Sequence, residues 1–258
     1  MTARHRVLAI VVALLLLAAA LRFHRLGAQS LWNDEGNSAR LSERAIPAIL
    51  EGTASDIHPP LYYILLRGWR ELAGETEFGL RSLSAFAGVL TVAAVAALAR
   101  ASIVRAGLRP APTPPAHDVR AGLRPAPTRL VAVFFAAVSP VLVYYSQETR
   151  MYALLALLAA LSTWALLVWR GGGGRHWAAA YVVLAAAGLY THYFFPAVMA
   201  AQGMVVLLRR VTSDERRVTS EERSPNSSLV TRHPPILRWF FLAAAAVALY
   251  LPWLPIFL

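Results

Sequence analysis

The sequence predicts an all-α polytopic membrane protein, and three observations carry that prediction. Hydrophobic residues make up 57% of the 258 positions, with a mean hydropathy of +0.50. Seven apolar runs recur along the chain, several near the roughly 17–25 residues that cross a hydrocarbon core of about 30 Å. All 25 basic residues are arginine, and they gather between the apolar runs. A net charge of +11 in a soluble chain would point to nucleic acid. Arginines confined to short loops between apolar runs are instead what membrane orientation produces, so no nucleic-acid partner is expected. With no cysteine, disulfides and cysteine-bound metals are excluded.

The first run, residues 7–21, follows Arg4 and Arg6. It reads as a secretory signal or as an uncleaved anchor, and the further spans together with its continuation through residues 21–26 favour the anchor. Residues 22–81 form a first loop outside the cytoplasm. Its apolar spacing (Leu41, Ala45, Ile49, then Leu61, Ile64, Leu65) predicts short amphipathic helices lying in the interface. Residues 82–99 form the second span. Residues 130–169 would make one helix of about 60 Å, too long for a single crossing, so the polar stretch 146–150 divides them into spans 130–145 and 151–169. Residues 177–208 would span about 48 Å; Thr191-His192-Tyr193 and Pro196 divide them into 177–190 and 194–208. Residues 239–258 form the seventh span.

Placing the N-terminus inside puts 17 arginines on the cytoplasmic side and 8 outside, while acidic residues divide 5 inside and 9 outside. That is the positive-inside arrangement. Residues 1–258 read as one membrane module with two cytoplasmic linkers, 101–129 and 209–238. The first carries VRAGLRPAPT twice, at 104–113 and 119–128, and its prolines predict extended chain rather than helix. The second carries RRVTSDE and RRVTSEE at 209–215 and 216–222. Two copies are too few for a stacked repeat fold.

Three polar clusters then fall on the external side. The first loop carries Asp34, Glu35, Asp56, His58, Tyr62 and Tyr63; the turn at 146–150 carries Glu148 and Arg150, followed by Tyr152; the turn after 190 carries His192 and Tyr193. Each has a structural reading of its own. Asp34 and Glu35 are also ordinary as solvated loop acids, Asp56 as a helix cap, the tyrosines as an aromatic belt and Arg150 as a snorkelling side chain. Their coincidence on one face favours chemistry at the membrane surface, because ionisable groups at helix ends near a bilayer are costly. No glycine fingerprint for a nucleotide is present; residues 171–174 form a plain glycine linker.

In order, Trp32-Asn33-Asp34-Glu35, Asp56-Ile57-His58-Pro59-Pro60-Leu61-Tyr62-Tyr63, Ser146-Gln147-Glu148-Thr149-Arg150-Met151-Tyr152, Tyr190-Thr191-His192-Tyr193 and Tyr250-Leu251-Pro252-Trp253 resemble the bacterial GT-C glycosyltransferases. The likeness is to the branch of protein O-mannosyltransferases and aminoarabinose lipid A transferases, over about residues 21–258. It implies transfer of a sugar from a polyprenyl-phosphate donor to an acceptor glycan, lipid or protein, on the external face of a bacterial cytoplasmic membrane. By the same resemblance Asp34 is the general base, Glu35 tunes or positions it, and Arg150 and His58 meet the leaving phosphate. His192 and Tyr193 line the cavity, with Asp56, Tyr62, Tyr63, Glu148 and Tyr152 as further substrate-binding candidates. Some relatives bind a divalent metal through acids and a histidine, here Glu35 or Asp56 with His192; no metal ligand is assigned. Full members continue beyond seven spans, so the resemblance implies an N-terminal module. The rival readings are a transporter or lipid-handling protein that binds without turnover, and an inactive remnant.

Overall fold

The computed structural model describes residues 3–54, 58–105, 125–221 and 235–257. Asp56 and most of the first repeat-bearing linker lie outside these residues. Among the described residues the chain is all-helical: α1 (Ala3–Phe23), α2 (Asn33–Ser42), α3 (Ile46–Ala54), α4 (Leu61–Ala73), α5 (Glu77–Arg105), α6 (Pro125–Val138), α7 (Pro140–Ser146), α8 (Tyr152–Arg170), α9 (Arg175–Leu189), α10 (Phe195–Glu221), α11 (Pro235–Tyr250), a 3-10 turn Leu251–Trp253 and α12 (Leu254–Phe257).

Among the described residues, four helices are long and apolar enough to cross a membrane: His5–Phe23, Glu77–Ser102, Tyr152–Arg170 and Ile236–Trp253. The pair Thr128–Val138 and Pro140–Ser146, bent by 49°, makes a fifth if it is one span. The other two apolar segments, α9 and Phe195–Leu208, are helical but shorter than the roughly 20 residues of a full crossing. The near-repeat after residue 208 does not begin a linker: α10 continues through it to Glu221.

α5 is central, packing on α1 and α6 on one side and α8 on the other; α8 leads on to α9, and α11 joins α9 to α10. Small residues permit these approaches. A methyl group at Gly88 would lie 2.0 Å from Ser146 Oγ, one at Gly188 2.2 Å from the Phe195 ring, and one at Gly203 2.5 Å from the Trp239 ring. One apolar cluster joins α1, α5 and α6 through Val11, Ala18, Val92 and Val133. Another joins α8 to α11 through Leu166, Tyr181, Phe195 and Ala246. Inside the second, Trp239 Nε1 donates to Tyr181 Oη (3.0 Å), which donates to Gln202 Oε1 (3.1 Å). The Gln202 amide nitrogen donates to Ser162 (2.9 Å) and Thr163 (3.0 Å). Without water, such groups must satisfy one another, and here they do.

The helices α2 to α4 form a cap on one end of the bundle. Their buried residues Ile49, Tyr62, Tyr63 and Leu66 meet Leu80 and Met151. The apolar stripe chosen from sequence on α4 is not its buried face: Tyr62, Tyr63 and Leu66 point inward, while Leu65 is exposed. The two tyrosines are thus packed core of the cap rather than a lipid-facing belt.

Candidate functional site

α2 begins directly after Trp32, and its first turn holds both acids, a favourable end for negative charge. Consecutive helical residues point about 100° apart, so the two carboxylates go to different partners. Glu35, 1% exposed, turns into the cap. Its Oε1 accepts from Arg81 Nε (2.8 Å) and the Thr149 backbone N–H (2.7 Å), and its Oε2 from Arg81 Nη2 (2.6 Å) and the Trp32 N–H (3.4 Å). Burial alone would raise its pKa; the Arg81 hydrogen bond, the Thr149 N–H, the Arg81 charge and the Trp32 N–H outweigh that and hold it below the ordinary value. A carboxylate has about four acceptor positions, and all four are taken.

Arg81, at the first turns of α5, also donates to the carbonyls of Leu26 (3.0 Å), Gln29 (2.7 Å) and Ser30 (3.2 Å). Its five N–H groups therefore fasten the 24–30 loop and the start of α2 to the bundle. Sequence reasoning passed over Arg81 as the end of the first loop. The available signal was an arginine just inside an apolar helix, which demands an internal acid.

Asp34 points outward and pairs with Arg150, Oδ2 to Nη1 at 2.6 Å. The Asp34 side chain is 37% exposed, whereas the Arg150 side chain is largely buried. Arg150 Nη2 donates to Tyr152 Oη (3.3 Å), and the guanidinium lies 5.5 Å from the Tyr152 ring and 6.0 Å from the Trp32 ring. Its Nε is buried with no acceptor, so this cation keeps an unused donor beside its ion pair. The carbonyl of Arg150 accepts from Ser84 (3.2 Å), itself within 3.4 Å of Tyr62 Oη. Tyr62 thus supports the Arg150 backbone, and burial pushes its phenol pKa upward.

His192 continues the wall. Its ring lies 5.7 Å from Tyr152 and 5.6 Å from His58. Its Nδ1 accepts from the Phe194 N–H (3.1 Å), which fixes the neutral tautomer with the proton on Nε2. Burial, then the nearby His58 and Arg150, lower its pKa below the ordinary imidazole value. The Leu61 N–H donates to the Tyr190 carbonyl (3.0 Å). That bond joins the start of α4 to the α9–α10 turn and so sets His58 beside His192.

The structure therefore brings Asp34, Arg150, Tyr152, His192 and His58 into one run of contacts, backed by Glu35, Tyr62 and Tyr63. Tyr193 is half-buried on the same turn. Glu148 is 7% exposed. It lines a cavity of about 610 Å³ together with Trp32, Glu35 and the 24–30 loop. Burial first, then the carboxylates of Glu35 and Asp34, hold the Glu148 pKa above the ordinary value, against the lowering effect of Tyr144 and Arg150.

Of the two acids suggested to hold a divalent cation with His192, Glu35 has its acceptor positions occupied and Asp56 lies outside the described residues; Asp34 is neutralised by Arg150, and no group of three or more histidines and carboxylates able to hold a metal is found among the described residues. No family model matches the chain, and no curated protein matches it significantly.

Proposed function

We propose that this chain is a GT-C-type glycosyltransferase, with seven crossings and its N-terminus in the cytoplasm. It would move a sugar from a polyprenyl-phosphate donor to an acceptor hydroxyl at the external face of a bacterial cytoplasmic membrane. One observation carries the reading: a half-exposed carboxylate, Asp34, is held 2.6 Å from a buried guanidinium that still has a free donor. Proton acceptor and oxyanion receptor sit side by side, as displacement of a phosphate leaving group requires.

In the resting arrangement Arg150 neutralises Asp34. A donor phosphate offers the Arg150 guanidinium a stronger, forked partner than one carboxylate oxygen. Exchange of Asp34 for phosphate leaves the carboxylate free to accept a proton. The acceptor oxygen then attacks the anomeric carbon, the carbon–oxygen bond to phosphate breaks, its electron pair leaves with the phosphate, and the hydroxyl proton passes to Asp34. Neutral His192 offers its Nε2–H as a further donor. Glu35 acts through Arg81 and the backbone, holding α2 and the 149–150 turn in register, and is a positioning residue. The polar network among α8 to α11 is closed on itself, so nothing in it favours the transporter reading, which calls for open polar groups at mid-membrane.

The test is transfer of labelled hexose from polyprenyl phosphate by the chain in nanodiscs. Asp34→Asn is expected to lower turnover by about 10²–10⁴-fold, the usual contribution of a general base, at unchanged protein abundance. Equal turnover in that variant removes Asp34 from the mechanism. No transfer by the native chain, with solute uptake into vesicles instead, overturns the reading altogether.

A further inference from the structure

The cavity beside Glu148 shares Trp32 and Glu35 with the surroundings of the Asp34–Arg150 pair, but Asp34, Arg150, His58 and His192 do not line it. Its walls are built. Arg81 fastens three carbonyls of the 24–30 loop, and the Gln147 amide nitrogen donates to the carbonyls of Leu21 (3.1 Å), Arg22 (3.4 Å) and His24 (3.1 Å). Arg25, on the rim, has φ of 53°, a left-handed conformation rare for a residue with a side chain and commonest where function needs it. Facing this space are a carboxyl that is more than nine-tenths buried (Glu148), an indole that is 47% exposed (Trp32), and donors on His24, Arg25 and Gln29.

We propose that this cavity is a subsite for a sugar ring, with Trp32 as its stacking face and Glu148 accepting from its hydroxyls. A pyranose presents two flat C–H faces and a rim of groups that both donate and accept. One aromatic plane with a buried carboxyl and several N–H donors at its edge is the complement of that. A volume of about 610 Å³ suits a small ligand; an acyl tail would need a long apolar groove, which these residues do not make. The role of the bound ring, as donor sugar or as the sugar end of a glycan acceptor, rests on the glycosyl-transfer reading; the affinity for sugar does not.

Saturation-transfer NMR on the whole chain in nanodiscs tests it, using methyl α-mannopyranoside and methyl β-glucopyranoside, with an acetylated Ala-Ser-Ala amide as the peptide probe. A glycoside is expected to bind, with at least tenfold weaker affinity in Trp32→Leu and in Glu148→Gln. Absence of any glycoside signal from the native protein overturns the subsite, as does undiminished binding in both variants or tighter binding of the peptide. Glycoside binding without sugar transfer would sink the transfer reading and leave the subsite; transfer without glycoside binding would do the reverse. Displacement of the glycoside by polyprenyl-phosphate hexose assigns the ring to the donor, and retention assigns it to the acceptor; both support the subsite.

Discussion

Asp34 and Glu35 are adjacent and chemically alike, yet one helical step separates a half-exposed carboxylate from one enclosed by four donors. The pair was legible in the sequence; the partner that encloses Glu35 was not, because Arg81 lies 46 residues on. Removing one partner of such a pair leaves a buried charge without a counter-charge, which costs about 3–5 kcal/mol. Glu35→Gln is therefore expected to lower unfolding stability in detergent by that order, and Arg81→Lys to behave similarly, since one ammonium cannot reach the five acceptor contacts of the guanidinium. The pH dependence has a defined sign. Glu35 has a folded pKa below its ordinary 4.5, so its stabilisation is complete above that value and is lost as pH falls through the folded one. Denaturant midpoints measured between pH 7 and pH 3 should show this acid limb in the native chain and a shallower one in Glu35→Gln. Identical limbs would show that Glu35 is not ionised in the folded protein.

The break between α6 and α7 shows a helix end satisfied inside a bundle. Pro140 has no N–H for the Ala136 carbonyl four residues earlier, and the 49° bend ends the ladder at Ala137. Fully buried Arg22, from the end of α1, donates to both orphaned carbonyls, at 3.1 Å to Ala136 and 2.9 Å to Ala137. The sequence displayed the polar stretch that ends this segment, but Ser139-Pro140 sat inside a continuous apolar run and its consequence was hidden. Arg22, taken from sequence as the first residue of an external loop, is in fact a cap for a distant helix. Each carbonyl left bare would cost about 1–3 kcal/mol, so Arg22→Leu is expected to destabilise the protein by about 2–6 kcal/mol. Pro140→Ala restores an N–H to Ala136, so the loss on removing Arg22 should shrink in the Pro140→Ala background. Unfolding midpoints of the two single variants and the double variant close this cycle. Additivity within about 0.5 kcal/mol would mean that Arg22 does not cap α6.

At the scale of the molecule, the helical segments were legible because run length and polar interruption are one-dimensional signals. The polar stretch 146–150 and the Thr191-His192-Tyr193 turn both separate helices as their composition suggested. One feature escaped, and another was visible without its consequence. The continuation of α10 through residues 209–221 was obscured by a charged near-repeat that reads as linker, although opposite charges four apart, as at Arg210 and Asp214, are a helical signal. The brevity of α9 and of Phe195–Leu208 was visible, but whether short helices cross depends on neighbours and on local bilayer thickness. The proposed seven crossings would place the α4–α5 turn and the α9–α10 turn outside, and the α8–α9 turn inside. A chain without cysteine is ready for a direct test of that arrangement. Single cysteines at Glu75, Phe194 and Arg175, all exposed, report the three turns. In intact cells a membrane-impermeant maleimide should label Glu75→Cys and Phe194→Cys, and should label Arg175→Cys only after the membrane is opened. Were Arg175→Cys labelled as readily as Glu75→Cys, the α8–α9 turn would share a side with the cap. The helix from Tyr152 to Arg170 would then not cross, and the proposed external site would lose the frame that orients it.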